Sequence, residues 1–67
     1  MSENILNRLL IEKNKTVEYI QKNTNISIKI INEMLSNNDY NYNLNEIRKL
    51  IKAFNLSQKE AYSFFHQ

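Results

Sequence analysis

TVEYIQKNTNISIKIINEMLS, residues 16–36, is the stretch whose reading decides the fold. Its apolar residues recur at intervals of three and four rather than alternating, which is the period of a helix and not of a strand. Two short amphipathic helices fit it. The first covers residues 17–23, capped by Thr16, with Ile20 as its main inward residue. The second covers residues 28–36, capped by Ser27, with Ile31, Met34 and Leu35 as an i, i+3, i+4 stripe. Between them stands Asn25, a residue that tolerates the left-handed conformation, followed by the apolar Ile26. A sharp corner between two helices needs such a pair, one residue to turn the chain and one to plug the angle.

Outward from this pair the helical period continues. Upstream, Ile5, Leu6, Leu9 and Leu10 make one face of a helix over residues 3–13, with Ser2 as its N-cap and Asn14 as its exit. Downstream, NNDYNYN over residues 37–43 has no period and reads as a loop, packed through Tyr40 and Tyr42. Ile47, Leu50, Ile51 and Phe54 then give an i, i+3, i+4, i+7 pattern and a helix over residues 46–54, ended by Asn55. Either Asn45 or Asn43 caps it, and Asn43 would complete a capping box with Glu46. Ser57 and Glu60 form a second S-x-x-E box, opening a helix over residues 58–65 that turns Ala61, Phe64 and Phe65 to the core or to a partner. The predicted fold class is therefore all-α, five helices in one domain spanning residues 1–67.

Composition narrows the function. A chain of 67 residues buries only about 60% of its unfolded surface, so helix packing or a partner must supply its stability. It has no cysteine and one histidine, His66, which excludes disulfides and makes no metal site expected. Nor is any cofactor or small-molecule ligand expected: with no glycine there is no glycine-rich phosphate loop, and no carboxylate pair is spaced to converge, so an enzyme is not expected. No apolar run approaches the ~18 residues of a membrane span and no signal peptide is evident, so the expectation is a cytoplasmic protein. The net charge of +2 is mild. Nucleic-acid binding then depends on where the cations gather.

A helix-turn-helix that reads DNA needs an apolar residue midway along its first helix, a plugged corner, and a polar start to its second helix. Ile20, Asn25, Ile26, Ile31 and Met34 fill the first roles, and Ser27, Lys29, Asn32 and Glu33 the last. Lys29 and Asn32 share a helix face, where Asn can read adenine and Lys can read guanine or hold phosphate. The plainer alternative is a solvated polar face. Ser27 is an N-cap that can also meet a phosphate. Ile28 can meet a thymine methyl or lie in an interface. Glu33 can accept from cytosine or pair with Lys29 four residues before it. Lys13, Lys15 and Lys22 flank the first two helices, where phosphate contacts are expected if the pair docks in the major groove. Arg8, Arg48, Lys49 and Lys52 are expected on solvent faces.

Over roughly residues 6–65 the chain resembles the phage repressor and Cro proteins and the wider xenobiotic-response-element-type regulators. The segments that carry the resemblance are Glu12-Lys13-Asn14, Thr16, Asn25-Ile26-Ser27, Ile31 and Phe54-Asn55-Leu56-Ser57. Three family glycines are replaced by Asn14, Asn25 and Asn55, and Val17 stands where the family usually has a DNA-contacting Gln. The resemblance implies a compact five-helix lambda-repressor-like domain with a central helix-turn-helix. It implies binding of double-stranded DNA as a homodimer on a pseudo-palindromic operator, with Thr16 and Val17 joining the phosphate-facing set. The ending, through Phe64-Phe65, is similar to small Cro-like proteins, and Tyr62, Phe64 and Phe65 are expected to share in the dimer surface. The rival reading is a protein-interaction module on the same fold, such as an antirepressor, an antitoxin or an adaptor. It is supported by the modest charge, Val17, and the apolar Ile28 and Ile30.

Overall fold

Five N-caps and three left-handed exits divide the chain. In a computed structural model that describes residues 4–65, the order is α1 (Ile5–Lys13), α2 (Val17–Thr24), α3 (Ile28–Ser36), α4 (Leu44–Phe54) and α5 (Gln58–Phe65), with no strand among the described residues. Asn4, Thr16, Ser27 and Asn43 each accept a backbone N–H from three residues ahead, satisfying one of the donors a helix start leaves open. At the exits, Asn14, Asn25 and Asn55 take φ of 55°, 61° and 51°. Asn14 and Lys15 donate back to Ile11 and Leu10, and Asn55 and Leu56 to Lys52 and Ile51, which is the double bond pattern of a Schellman cap. Asn25 makes the single bond to Gln21 of the simpler left-handed cap. In a chain without glycine, asparagine performs all three reversals.

The core is drawn from the inward stripes. Leu6 and Leu9 of α1, Ile20 of α2, Ile31 and Met34 of α3 and Leu50 of α4 are fully buried, and Leu10, Ile26, Phe54, Leu56 and Phe64 close around them. α2 packs on both α3 and α4, and α1 packs on α3. Polar ties reinforce these contacts. The Tyr19 hydroxyl donates to the Ala53 carbonyl while its ring leans on Phe54, fastening α2 to α4. Asn4 Nδ2 donates to the Met34 carbonyl and to Asn38 Oδ1, both at 2.9 Å, joining the start of α1 to the end of α3. The radius of gyration is 10.9 Å, about what a folded chain of this length should have. No helix among the described residues is long and apolar enough to cross a membrane.

Several boundaries differ from the sequence reading. Ser2, Glu3 and His66 lie outside the described residues. The cap of α1 is Asn4, whose Oδ1 accepts from Asn7 N at 2.9 Å. α2 extends one residue further, to Thr24, whose hydroxyl is satisfied within the helix. α4 begins two residues earlier, because Asn43 and Glu46 complete the capping box reciprocally and leave Asn45 inside the helix. At α5 the box forms as expected, with Ser57 N donating to Glu60 Oε1 and Glu60 N to Ser57 Oγ, both at 3.1 Å. The three C-terminal aromatics part company. Phe64 is core, Phe65 is half-buried edge-on to Tyr42, and Tyr62 is 63% exposed.

Candidate nucleic-acid interface

The corner between α2 and α3 is built by four consecutive residues. Thr24 is buried, and its Oγ1 donates to the Ile20 carbonyl at 2.6 Å and accepts from Ile26 N at 3.1 Å. Asn25 then turns the chain, Ile26 buries its side chain in the angle, and Ser27 Oγ accepts from Ile30 N at 3.2 Å. The direction in which α3 leaves the corner is thereby fixed at its first turn. Thr24 was not singled out in the sequence. Its signal is slight, a β-branched hydroxyl residue immediately before the left-handed position, able to bond back to the carbonyl four residues earlier.

On α3, Ile31 and Met34 point inward, so the helical period sends Lys29, Asn32, Glu33 and Ser36 outward, and all four are exposed. Lys29 and Glu33 form no ion pair, and the pairs made among the described residues are Arg8–Glu12 and Lys13–Glu60. The Glu33 charge is instead felt at Tyr40. The face thus presents an amide, a hydroxyl and one charge of each sign, with no net charge. Ile28 and Ile30 flank it half-buried, packed against the core, so that only part of Ile28 is free to meet a thymine methyl.

The residues expected at phosphates fall into three situations. Lys22 is exposed in the last turn of α2, and Lys15 lies with Nζ 4.5 Å above the Tyr19 ring. Thr16 Oγ1 accepts from Tyr19 N at 3.3 Å, and Val17 is half-buried on the core. Lys13 is otherwise engaged: its Nζ sits 2.7 Å from Glu60 Oε2, joining α1 to α5. Arg8, expected simply at a solvent face, pairs with Glu12 at 2.8 Å and lies 5.0 Å over the Phe64 ring.

Behind α3 the loop is held by its aromatics. Tyr40 hydroxyl donates to Glu46 Oε2 at 2.8 Å, and Tyr40, Tyr42 and Phe65 meet edge to face. Burial raises the Tyr40 phenol to about 12, with the Glu46 hydrogen bond adding to it. Burial raises Tyr42 to about 12 as well, helped by its neighbours Tyr40 and Glu46. A half-open cleft of about 380 Å³ lies among these rings, Ile5, Ile47 and the loop backbone. Among the described residues no group of three His, Cys, Asp or Glu side chains gathers to hold a metal ion. No protein-family model, curated protein or solved structure matches the chain.

Proposed function

We propose that this chain is a sequence-specific DNA-binding regulator of the Cro type, a lambda-repressor-like helix-turn-helix that acts in the cytoplasm as a repressor encoded by a phage or mobile element. The observation that carries the reading is the corner: a left-handed Asn25 between the buried Thr24 and Ile26, followed by the Ser27 cap and an α3 whose outward face holds Lys29, Asn32 and Glu33. In this reading α3 enters the major groove. Asn32 meets an adenine edge and Lys29 a guanine or phosphate, while Ser27, Ile28 and Glu33 lie alongside. Lys15, Lys22, Thr16 and Val17 face the phosphate backbone, and Lys13 joins them only by leaving Glu60. Two copies bind half-sites about one helical turn apart, with Tyr62 the most exposed of the C-terminal aromatics available to the dimer surface. The chain performs no catalysis and responds to its own concentration or to a partner.

Binding to duplexes from its own upstream region, measured at two salt concentrations, tests this. With about six phosphate contacts per dimer, affinity should fall about a thousandfold between roughly 50 and 200 mM salt. Asn32→Ala should then cost about 1–3 kcal/mol and relax preference at one base position. Absence of duplex binding at low salt would overturn the reading, and a uniform loss in the variant would remove Asn32 from base contact. One observation favours the rival protein-interaction module: the outward face of α3 carries no net charge.

A further inference from the structure

Three cations without an ion pair gather on one helix, α4. Arg48, Lys49 and Lys52 are exposed on the side facing away from Leu50 and Phe54, and none of them makes an ion pair among the described residues. Glu46, the one acid of this helix, is already engaged by the Asn43 backbone and the Tyr40 hydroxyl. Elsewhere Arg8 is paired with Glu12 and Lys13 with Glu60, while Lys15 before α2, Lys22 on α2, Lys29 on α3 and Lys59 on α5 are distributed one to an element without an ion pair among the described residues. Arg48 and Lys49 each repel Lys52, at i, i+4 and i, i+3, and of the three only Lys52 is placed in the last turn, where the helix C-terminus favours a cation. Leu44 heads the same row, since Leu44, Arg48 and Lys52 follow at i, i+4, i+8 over about 12 Å. It is one of the exposed large hydrophobic residues, at 62%.

We propose that this outward face of α4 docks an acidic, partly apolar segment of a partner protein, with Leu44 as the anchor and Arg48, Lys49 and Lys52 as the charged rim. Charge complementarity requires an anionic partner. The exposed leucine favours a protein over a phosphate backbone, which offers an apolar side chain nothing to bury against, whereas an acidic amphipathic segment does. The site does not depend on the DNA-binding reading and stands or fails separately from it.

Fluorescence anisotropy on the full chain tests it, with a labelled synthetic peptide carrying Leu at i, i+3 and i+7 among Glu residues. That peptide should bind more weakly as salt rises, and versions with Glu replaced by Lys, or Leu replaced by Ser, should not bind. Arg48→Glu/Lys52→Glu should lower the affinity about tenfold, Leu44→Ala about fivefold, and Lys29→Ala should leave it unchanged. All of these positions are exposed, and helical circular dichroism checks that the variants stay folded. Failure of the Glu/Leu peptide to bind overturns the proposal. So does equal binding of the Ser version together with indifference to Leu44→Ala, which would make the face a general polyanion surface. If Arg48→Glu/Lys52→Glu abolishes duplex binding and spares the peptide, the face belongs to nucleic acid instead.

Discussion

Asn25 turns the chain at φ 61°, a region where a Cβ crowds the following carbonyl and costs about 1–2 kcal/mol for most residues, less for asparagine. Asn25→Ala should therefore lower stability by about 1 kcal/mol, while Asn25→Gly should match or exceed the parent because glycine meets no such clash. Urea midpoints of the three proteins check this, and an alanine variant as stable as the glycine one would mean the corner is held by something else. The positions of all three reversals were legible in the sequence, because in a chain without glycine few residues can end a helix this way. Thr24 beside it was not legible. Its hydroxyl bridges a carbonyl four residues back and an amide two residues on, and such a bridge exists only once the corner has closed.

At the scale of the element, α5 is secured by one carboxylate used twice. Glu60 Oε1 accepts from Ser57 N, and Oε2 takes the Lys13 ammonium at 2.7 Å. The Lys13 hydrogen bond first, then the Ser57 amide, hold the Glu60 carboxyl below its ordinary value of 4.5. A carboxyl depressed in the folded state favours folding above its unfolded value, and that contribution is lost as pH falls through the folded one. Thermal unfolding followed between about pH 6 and 3 should show a decline below roughly 4.5 that Glu60→Gln makes shallower. An unchanged acid limb in the variant would remove the pair from the pH dependence. The capping box could be read from S-x-x-E spacing. Its second partner could not, since Lys13 lies 47 residues away in sequence, and the lysine looked from the sequence like a phosphate ligand.

For the whole molecule, the core is small and shared. Six fully buried side chains come from α1, α2, α3 and α4, so none of these helices keeps its apolar face covered without the others. Leu50 sits in α4, which packs on α2. Leu50→Ala should cost about 2–5 kcal/mol, a large part of the roughly 3–10 kcal/mol expected for a chain of this length. The variant should be substantially unfolded near 37 °C by circular dichroism. A cost below about 1 kcal/mol would mean that the site collapses around the smaller side chain.

The sequence by itself determined the local features. Helix period, the Thr16 and Ser27 caps, the left-handed exits and both capping boxes depend on residues within a turn of one another, and those interactions are set before any helix finds its neighbour. The α1 cap, expected at Ser2, is Asn4, whose amide also reaches Met34 and Asn38 across the fold. Tertiary structure decided which polar side chains remained available. Lys13 went to Glu60, the Arg8 guanidinium to the face of Phe64, and Tyr19 to Ala53 and Phe54. Arg48, Lys49 and Lys52 were left without a partner among the described residues. A charged side chain has the same spacing in the sequence whether it ends in a pair or in solvent. Its partner comes from another helix, and only packing brings the two within reach.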